Sequence, residues 1–537
     1  MLAALSALAF ALSFPLSEDF VAGWPLAFAW PALLGAAAWT APSARALALA
    51  TAASFGAAFL AHEWWMHQVT ALGMPVLVLY LTAWTVVLAL AVRMLAGARG
   101  ARRWPFAVAL PLAVVAVEYL RGDLVCTGYA WFFAAHPLAE WPAVAQVASL
   151  GGGWMLSGLA ALVAGGALDA VVARGRRRVC SPVAAACALG AALAFGSARL
   201  SAIDARATGG SAAVLVVQTN RPMPNKLAWE PKAQVDDFVS FARLTLDGAA
   251  AARAQGVAID AAVWPETMVP GFGIEPESIR ALVDGGYFPG NRFEEGLRDL
   301  SARLGAPLIV GSPAFLGLRA ESQRWAWDRQ YNSAYLVDAE GRRARTDKIF
   351  LTPFGETMPV ISNWDWLEQR LLDLGAGGMT FDRDAASSPT VLPLPPRGLR
   401  VGVPICFEIT KPWASRTIAF EGGLRKADVL VNISNDGWFS GATAGQRQHL
   451  QVAQLRAAEL ATPVVRAANT GISASIDGAG RLLGRLPAGR EGCLVAVARP
   501  ADADDVPLAA RIGDGFAMCM LCGAVIGCVR WRRRNAA

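Results

Sequence analysis

The charged residues of this 537-residue chain are distributed very unevenly, and this constrains the fold more than any other feature. The chain has 48 Lys and Arg and 42 Asp and Glu, and only 18 of these 90 lie in residues 1–200, which is 9% of that part. The other 72 lie in residues 201–537, or 21%, close to the ~25% of soluble proteins. This distribution excludes a single soluble protein, a disordered chain and a pure membrane bundle. It predicts a membrane part followed by a globular domain.

The first 200 residues consist largely of apolar segments separated by short polar loops. A helix needs about 20 mostly apolar residues to cross a bilayer. Together with one segment near the C-terminus, these segments predict about eight membrane-spanning helices. The predicted spans lie near residues 1–16, 23–40, 46–62, 74–96, 105–121, 146–173, 180–199 and 513–529.

Basic and non-basic loops alternate between these predicted spans. One basic loop contains Arg99, Arg102 and Arg103, another has four arginines between 174 and 178, and the tail has four between 530 and 534. Because basic loops remain in the cytoplasm, the C-terminus is predicted to be cytoplasmic and residues 201–512 to lie on the opposite side. The basic tail could also form a nucleic-acid patch. Beside an apolar span, a topology anchor is the better interpretation, and no nucleic-acid partner is predicted.

The polar part alternates short apolar runs with helix-like stretches, which is typical of an α/β layered domain. Helices are predicted over 232–254, 292–304 and 445–461. Two long irregular stretches, 267–291 and 352–399, are predicted to be lids or binding loops. The predicted strands lie at 213–218, 260–264, 307–311, 334–337, 400–405, 428–433, 463–467, 472–476 and 493–498.

Cys406 ends the apolar run VGVPIC, which predicts a thiol at the end of a strand, accessible at the rim of a sheet. A thiol is a good nucleophile but needs help to ionise. His449 lies in the polar part, and we interpret it as a packing or surface residue rather than as the helper. A disulfide between Cys406 and Cys493 is an alternative use of the thiol.

A carboxylate can act as the base that the thiol needs, and a lysine can stabilise an oxyanion. Glu266 follows the predicted strand DAAVW, and apolar neighbours favour a carboxylate that works as a base. Lys348, in RTDKIFLTPFGE, is a fixed cation suited to stabilise an oxyanion, and Glu356 at the end of that run is placed to orient it. The sequence has no GxSxG elbow, HExxH or paired Cys/His ligand set, which disfavours that type of serine hydrolase and a metal site.

Four motifs, in the order WPET, KIFLTPFGE, ICFE and NISNDGWF, resemble the nitrilase (carbon–nitrogen hydrolase) superfamily. With membrane spans before and after them, the resemblance is greatest to its membrane-bound branch, the apolipoprotein N-acyltransferases, and covers nearly the whole chain. It implies a polytopic helical membrane domain of about eight spans in all, about seven of them over 1–200, and an α-β-β-α sandwich over 211–505. A final span with a basic cytoplasmic tail is implied over 510–537.

The resemblance also implies a Glu–Lys–Cys triad. Glu266 corresponds to the proton acceptor, Lys348 to the residue that stabilises the oxyanion, and Cys406 to the nucleophile. Glu356 and Glu408 match supporting acids of the family.

Two aromatic residues are implied to contact the substrate. Trp229, in KLAWE, matches a tryptophan associated with substrate handling. Phe407 stands where the family often has tyrosine, so the ring is kept but the hydroxyl is lost.

The activity implied is the transfer of a fatty acyl chain from a membrane phospholipid to the N-terminal amino group of diacylglyceryl-cysteine in bacterial apolipoproteins. The acyl chain passes through a thioester on the cysteine, and no cofactor or metal is implied. The implied location is the bacterial inner membrane, with the catalytic domain on the periplasmic side.

Two alternatives use the same residues differently. A membrane-tethered amidase would act on a small soluble amide, with water as the acceptor. A binding or transport module without activity would be expected to have lost part of the triad, and all three positions are intact.

Overall fold

The structure is a computed structural model that divides into two units. The first contains Met1–Ala205, Ala442–Glu459 and Pro507–Ala537, and the second contains Arg206–Gly441 and Leu460–Val506. The structure describes residues 1–20, 23–70, 73–99, 104–206, 210–222, 230–321, 324–353, 355–357, 364, 366, 370, 383–395, 397–439 and 441–536.

Helices make up the first unit and flank the sheets of the second. The α-helices among the described residues are α1 Leu2–Ser13, α2 Ala29–Thr40, α3 Ala44–His62, α4 Gly73–Ala96, α5 Phe106–Tyr119, α6 Pro142–Ala145, α7 Ala148–Val172, α8 Arg177–Arg206, α9 Pro231–Ala254, α10 Pro276–Asp284, α11 Arg292–Leu304, α12 Pro412–Ala419, α13 Thr443–Leu460, α14 Leu508–Ile512 and α15 Gly515–Ala536.

The strands among the described residues lie in the second unit. In chain order they are β1 Ala212–Gln218, β2 Ala261–Val263, β3 Leu308–Leu316, β4 Arg319–Glu321, β5 Arg324–Ala326, β6 Arg329–Asp338, β7 Gly341–Asp347, β8 Leu392–Leu394, β9 Leu399–Gly402, β10 Phe420–Glu421, β11 Leu424–Arg425, β12 Val429–Ser434, β13 Val464–Ala468, β14 Ala474–Ile476, β15 Leu482–Arg485 and β16 Gly492–Ala498.

Each predicted membrane span contains a helix. Four of these helices are long and apolar enough to cross a membrane, namely α3, α4, α7 and residues Arg177–Ala205 of α8. The helix α1 and residues Gly515–Arg530 of α15 are apolar but shorter. The helical membrane part is therefore confirmed, whereas the number of about eight spans remains a prediction.

Close packing in the first unit depends on small and capping residues. Both carboxylate oxygens of Asp169 accept backbone N–H groups at the start of α5, from Phe106 at 3.0 Å and Ala107 at 3.2 Å. At Gly165 of α7, a Cβ atom would lie 2.3 Å from the carbonyl oxygen of Phe106. Only glycine therefore permits this contact between α5 and α7.

Residues Ala442–Glu459, which include most of α13, belong to the first unit rather than to the sheets that precede and follow them in sequence. The side chains of this helix are buried and bonded there. Arg447 forms an ion pair with Glu140 at 2.5 Å, and Glu459 accepts the backbone N–H of Gly153 at 2.8 Å. Charged groups as buried as these need such partners.

In the described part of the second unit, two six-stranded sheets form the layers, and β4-β5 and β10-β11 are two-stranded. The first has the order β16-β1-β2-β3-β6-β7 and the second the order β15-β14-β13-β12-β9-β8. The neighbours β1, β2 and β3 are parallel, as are β9, β12 and β13. Each run predicted to be a strand overlaps an observed one, so this part of the sequence interpretation is confirmed.

The sheets pack face to face, because alternate residues of their central strands point inward. Val214 and Val216 of β1 share one buried cluster with Val429, Val431 and Ile433 of β12. The opposite face of the first sheet is covered by α9 and α11, and α12 packs on the opposite face of the second sheet. The predicted α-β-β-α layering is thus confirmed.

Strand direction determines where the functional residues gather. The strand β7 is antiparallel to β6, which is antiparallel to β3, so β7 runs in the same direction as β1 and β2. Residues that follow β1, β2 and β7 therefore lie at one edge of the first sheet. Residues that follow β9, β12 and β13 lie at one edge of the second sheet, and hydrogen bonds described below join the two edges.

Candidate active site

Three charged side chains form a buried cluster at this edge. Glu266 follows β2 and Lys348 follows β7, while Glu356 lies eight residues beyond the lysine. The Nζ atom of Lys348 lies 2.6 Å from Oε2 of Glu356 and 3.8 Å from Oε1 of Glu266. The lysine side chain is 1% exposed. The structure thus brings together three of the residues that the sequence singled out.

The electrostatics of the cluster follow from its mixed charges. Burial disfavours the ammonium of Lys348, but the carboxylates of Glu356 and Glu266 outweigh it, so the pKa of Lys348 is raised. Burial likewise disfavours the carboxylate of Glu356. The charges of Lys348 and Arg383 outweigh that effect and hold the pKa of Glu356 well below its usual range. Both groups are therefore charged throughout the physiological pH range.

Cys406 is the first residue of a short 3₁₀ helix, Cys406–Thr410, which begins at a sharp turn after β9. Its φ angle is +53°, a left-handed conformation that is strained for any residue other than glycine. Such strain is typical of functional positions. The carbonyl oxygen of Cys406 accepts a hydrogen bond from Nδ2 of Asn432 at 3.4 Å, and the side chain is only partly buried. The thiol is thus held at the predicted strand end.

The thiol of Cys406 is protonated in the resting site. Burial raises its pKa, the negative charge of Glu266 raises it further, and the positive charge of Lys348 lowers it by less. These effects place Glu266 and Lys348 within electrostatic reach of the sulfur. They also show that a thiolate is unfavourable while Glu266 remains ionised.

Glu408 connects the lysine segment to the cysteine segment. Its Oε1 accepts the backbone N–H of Ile349 at 2.6 Å and of Phe350 at 2.9 Å, directly after Lys348. Its Oε2 accepts the backbone N–H of Ile405 at 2.7 Å, directly before the cysteine. One buried carboxylate therefore fixes both segments. Burial raises the pKa of Glu408 to about 7, despite the opposing effects of the Lys348 charge and these hydrogen bonds.

Asn332, on β6, is a residue of this site that sequence reasoning missed. Its Nδ2 donates to Oε1 of Glu266 at 2.7 Å and to Oε1 of Glu356 at 3.0 Å. One amide thus holds both carboxylates that flank Lys348. A signal existed in the run RQYNSAYLV, because a polar side chain in the middle of an apolar strand needs a buried partner.

A second buried ion pair lies beneath the turn at Cys406, and it was not predicted from the sequence. Arg466 of β13 is fully buried and pairs with Oδ2 of Asp436 at 2.7 Å. The same guanidinium donates to Oδ1 of Asn432, whose Nδ2 donates to the carbonyl oxygens of Pro404 and Cys406. The ion pair is therefore linked to the backbone on both sides of the thiol.

The remaining predicted residues lie in different places. The ring of Phe407 stacks on that of Phe350 with centroids 6.4 Å apart. Trp229 lies outside the described residues. His449 belongs to the first unit, where its ring centroid is 5.7 Å from that of Trp131, which agrees with a packing role. Cys406 and Cys493 are both free thiols, so the structure contains no disulfide between them.

Comparison with known proteins agrees with this architecture. A family model for carbon–nitrogen hydrolases matches residues 214–507, which is 294 of the 537 residues. A family model for the N-terminal domain of apolipoprotein N-acyltransferases matches residues 6–166.

Similar proteins include two curated relatives and one solved structure. Apolipoprotein N-acyltransferases from Bradyrhizobium diazoefficiens and Azotobacter vinelandii are each 32% identical. The first alignment covers 87% of this chain and 80% of the relative, and the second covers 90% and 86%. A solved amidase of the nitrilase superfamily from Nesterenkonia is 19% identical, with a TM-score of 0.37 over 58% of this chain and 98% of that chain.

The chain therefore combines a carbon–nitrogen hydrolase domain of the nitrilase class with a helical membrane part. The match of both parts to one set of relatives defines it further. The chain belongs to the apolipoprotein N-acyltransferase family.

Proposed function

We propose that this bacterial membrane protein transfers a fatty acyl chain from a membrane phospholipid to the α-amino group of N-terminal diacylglyceryl-cysteine in apolipoproteins. Family membership supports acyl transfer, and the long apolar helices support a location where both lipid substrates reside. The observation that carries the chemistry is the buried Lys348 between Glu266 and Glu356, within electrostatic reach of the Cys406 thiol. The proposed reaction uses no cofactor.

In the first half-reaction, Glu266 takes the proton of Cys406 while the sulfur attacks the ester carbonyl carbon of the phospholipid. A C–S bond forms and the carbonyl oxygen becomes an oxyanion, which Lys348 and backbone N–H groups stabilise. When the ester C–O bond breaks, Glu266 returns the proton to the leaving alkoxide. A lysophospholipid departs, and Cys406 carries the acyl chain as a thioester.

In the second half-reaction, the α-amino group of the apolipoprotein attacks the thioester carbonyl. Glu266 takes a proton from the nitrogen, and Lys348 stabilises the second oxyanion in the same place. The C–S bond breaks as the amide forms. Glu266 then returns the proton to the sulfur, and the site regains its resting state.

The charges at the site explain why proton transfer accompanies attack. With Glu266 ionised, a thiolate at Cys406 would add a second negative charge beside it, which raises the thiol pKa. When the proton moves from Cys406 to Glu266, the total charge of the cluster is unchanged. The reaction therefore proceeds from a protonated thiol without first separating charge in a buried site.

The geometry of Lys348 suits an oxyanion. Its ammonium has three N–H donors, and two have partners in Glu356 at 2.6 Å and Thr352 at 3.4 Å. The carboxylate of Glu356 thereby orients the third donor. In this proposal Glu356 and Glu408 are positioning residues, and Trp229 and Phe407 contact the acyl substrates.

The proposal also includes domain boundaries and an orientation in the membrane. Residues 1–200 form the membrane domain, 211–505 the catalytic domain, and 510–537 the last span with its basic tail. The alternation of basic loops supports a periplasmic catalytic domain and a cytoplasmic C-terminus in the inner membrane.

The function is tested with purified protein in detergent micelles, a phospholipid with a radiolabelled acyl chain and a synthetic diacylated lipopeptide. We expect the label in an amide at the peptide N-terminus, and no transfer by Cys406→Ala. If small amides are hydrolysed while the lipopeptide remains unlabelled, the chain is an amidase and the proposal is wrong.

A further inference from the structure

Asn469 follows β13 and has no place in the reaction described above. It is fully buried, and its backbone N–H donates to the carbonyl oxygen of Ser434 at 3.0 Å. It thus lies at the edge where residues following β12 and β13 meet the residues that follow β1 and β2.

The Asn469 side chain uses all of its hydrogen-bonding capacity, which is two donors and two acceptor sites. Its Nδ2 donates to Oδ1 of Asn435 at 2.9 Å and to the carbonyl oxygen of Arg221 at 2.7 Å. Its Oδ1 accepts the hydroxyl of Thr219 at 2.8 Å and the backbone N–H of Arg221 at 2.7 Å. One amide therefore joins Asn435 to the segment 219–221, which follows β1.

The first partner, Asn435, contacts Glu266 directly. The backbone N–H of Asn435 donates to Oε2 of Glu266 at 2.8 Å. A donor at this position favours the ionised carboxylate, which is the form that accepts a proton. The bond from Asn469 to the Asn435 side chain fixes the residue that provides this donor.

The second partner of Asn469 is the segment 219–221, which contains a residue in an unfavourable backbone conformation. Asn220 has a φ angle of +48°, in the left-handed region, and its backbone N–H donates to the carbonyl oxygen of Asn469 at 3.0 Å. A non-glycine residue in this region persists only where its surroundings fix it. Asn469 contributes bonds to each of the residues 219, 220 and 221.

We infer that Asn469 is a positioning residue, which ties the segment after β1 to the backbone donor that orients Glu266 through Asn435. The inference rests on the proposed role of Glu266 as the proton acceptor. Without the Asn469 amide, the backbone N–H of Asn435 is no longer held in place. The carboxylate of Glu266 then loses a fixed hydrogen-bond donor. The first-order rate constant of thioester formation then falls, because Glu266 is less well placed to take the proton of Cys406.

The test is the single-turnover time course of thioester formation at Cys406 at one pH, with excess radiolabelled phospholipid in detergent micelles and no acceptor. For Asn469→Ala we expect the first-order rate constant to fall about tenfold, the size expected for losing one charge-assisted bond. This rate constant does not depend on how much of the sample is folded, because the folded fraction changes only the amplitude. A purely structural role would lower the amplitude alone, and an unchanged rate constant overturns the inference.

A double-mutant cycle provides an independent readout, also if one variant expresses poorly. Asn435→Ala keeps its backbone N–H but removes the anchor, so it should reproduce the lowered rate constant. The double variant Asn435→Ala/Asn469→Ala should be no worse than Asn469→Ala, because both remove the same link. Additive effects contradict the inference. Thr219→Val, which keeps the Asn435 bond, is the control and should retain the parent rate constant.

The variant Glu266→Gln distinguishes a failure of the proposed role of Glu266 from a failure of the inference about Asn469. If this variant still forms the thioester, the proposed role of Glu266 fails, whatever Asn469 does. If Glu266→Gln is inactive and Asn469→Ala retains the parent rate constant, only the inference about Asn469 fails.

Discussion

At the scale of single residues, the site combines a thiol that is protonated at rest with an ammonium that keeps its charge. Burial raises the pKa of the Cys406 thiol, and the charge of Glu266 raises it further. Burial disfavours the ammonium of Lys348, but the charges of Glu356 and Glu266 outweigh it and raise the pKa of Lys348. In the proposed mechanism the ammonium is therefore always charged, and the thiolate arises only when Glu266 takes the proton of Cys406.

Replacing Lys348 tests this division of roles. Lys348→Met and Lys348→Arg should each lower the rate of thioester formation by about 10²–10³, the loss seen when an oxyanion donor is removed. Arginine should fail because its planar fork does not fit a site built for a compact ammonium. Lys426→Met is the matched control. Lys426 bonds to Pro389 and Glu421 away from the cluster, and its loss should leave the rate unchanged.

Glu408 predicts a pH dependence of stability. Its pKa is about 7 in the folded chain and 4.5 when unperturbed. A group with a raised pKa stabilises the fold below the unfolded value, and this contribution is lost as pH rises through the folded value. The parent should therefore lose up to about 3 kcal/mol relative to Glu408→Gln between pH 4.5 and 8. Urea unfolding in detergent measures this, and parallel pH profiles would contradict it.

The three proposed triad residues could be predicted from sequence because each stands in a short motif at the end of an apolar run. The contact partners of Asn332 and Asn469 could not, although a polar side chain within β6 indicates that Asn332 has a buried partner. Asn332 contacts Glu266 across 66 positions of sequence, and Asn469 contacts Thr219 across 250. Such contacts depend on strand order and on how two sheets face each other, which local patterns do not encode.

At the scale of elements, the edges of two sheets meet and provide the site. The first sheet contributes Glu266 and Lys348 after β2 and β7, and the second contributes Cys406 after β9. The strands and the long helices were predictable from periodicity and from the length of the apolar runs. The ion pair between Arg466 and Asp436 was not, since a charge within an apolar strand has no local signature of its partner.

Removal of that buried ion pair should destabilise the catalytic domain. Arg466→Met leaves the carboxylate of Asp436 buried without its cation, and we expect a loss of about 3–5 kcal/mol in the free energy of unfolding. The double variant Arg466→Met/Asp436→Asn should recover part of this loss. Arg243→Met removes an exposed pair with Asp247 and should change stability by less than about 0.5 kcal/mol. Equal effects at the two arginines would contradict this account.

At the scale of the whole molecule, the uneven charge distribution corresponds to two units with different interiors. Apolar helices dominate the first unit, and the second is a sandwich with apolar layers. Sequence order does not fully define these units, because Ala442–Glu459 belongs to the first. In the sequence, the polar residues of α13 are typical of an amphipathic helix in a soluble domain. That this helix belongs to the first unit could therefore not be predicted from its own sequence.

The proposed topology is tested by reporter fusions in bacteria. Green fluorescent protein fused after residue 537 should fluoresce, because that reporter folds in the cytoplasm, whereas alkaline phosphatase fused there should be inactive. Alkaline phosphatase inserted in the exposed turn at 422–423 should be active in the periplasm. The opposite pattern would reverse the orientation assigned from the basic loops.

Acyl transfer through Cys406 is tested by intact-protein and peptide mass spectrometry after incubation with phospholipid alone. We expect one acyl chain on Cys406, labile to hydroxylamine, which disappears as the diacylated lipopeptide becomes N-acylated. Glu266→Gln should show neither step. N-acylation of the lipopeptide without an acyl group ever appearing on Cys406, or with Cys406→Ala still active, would contradict the account.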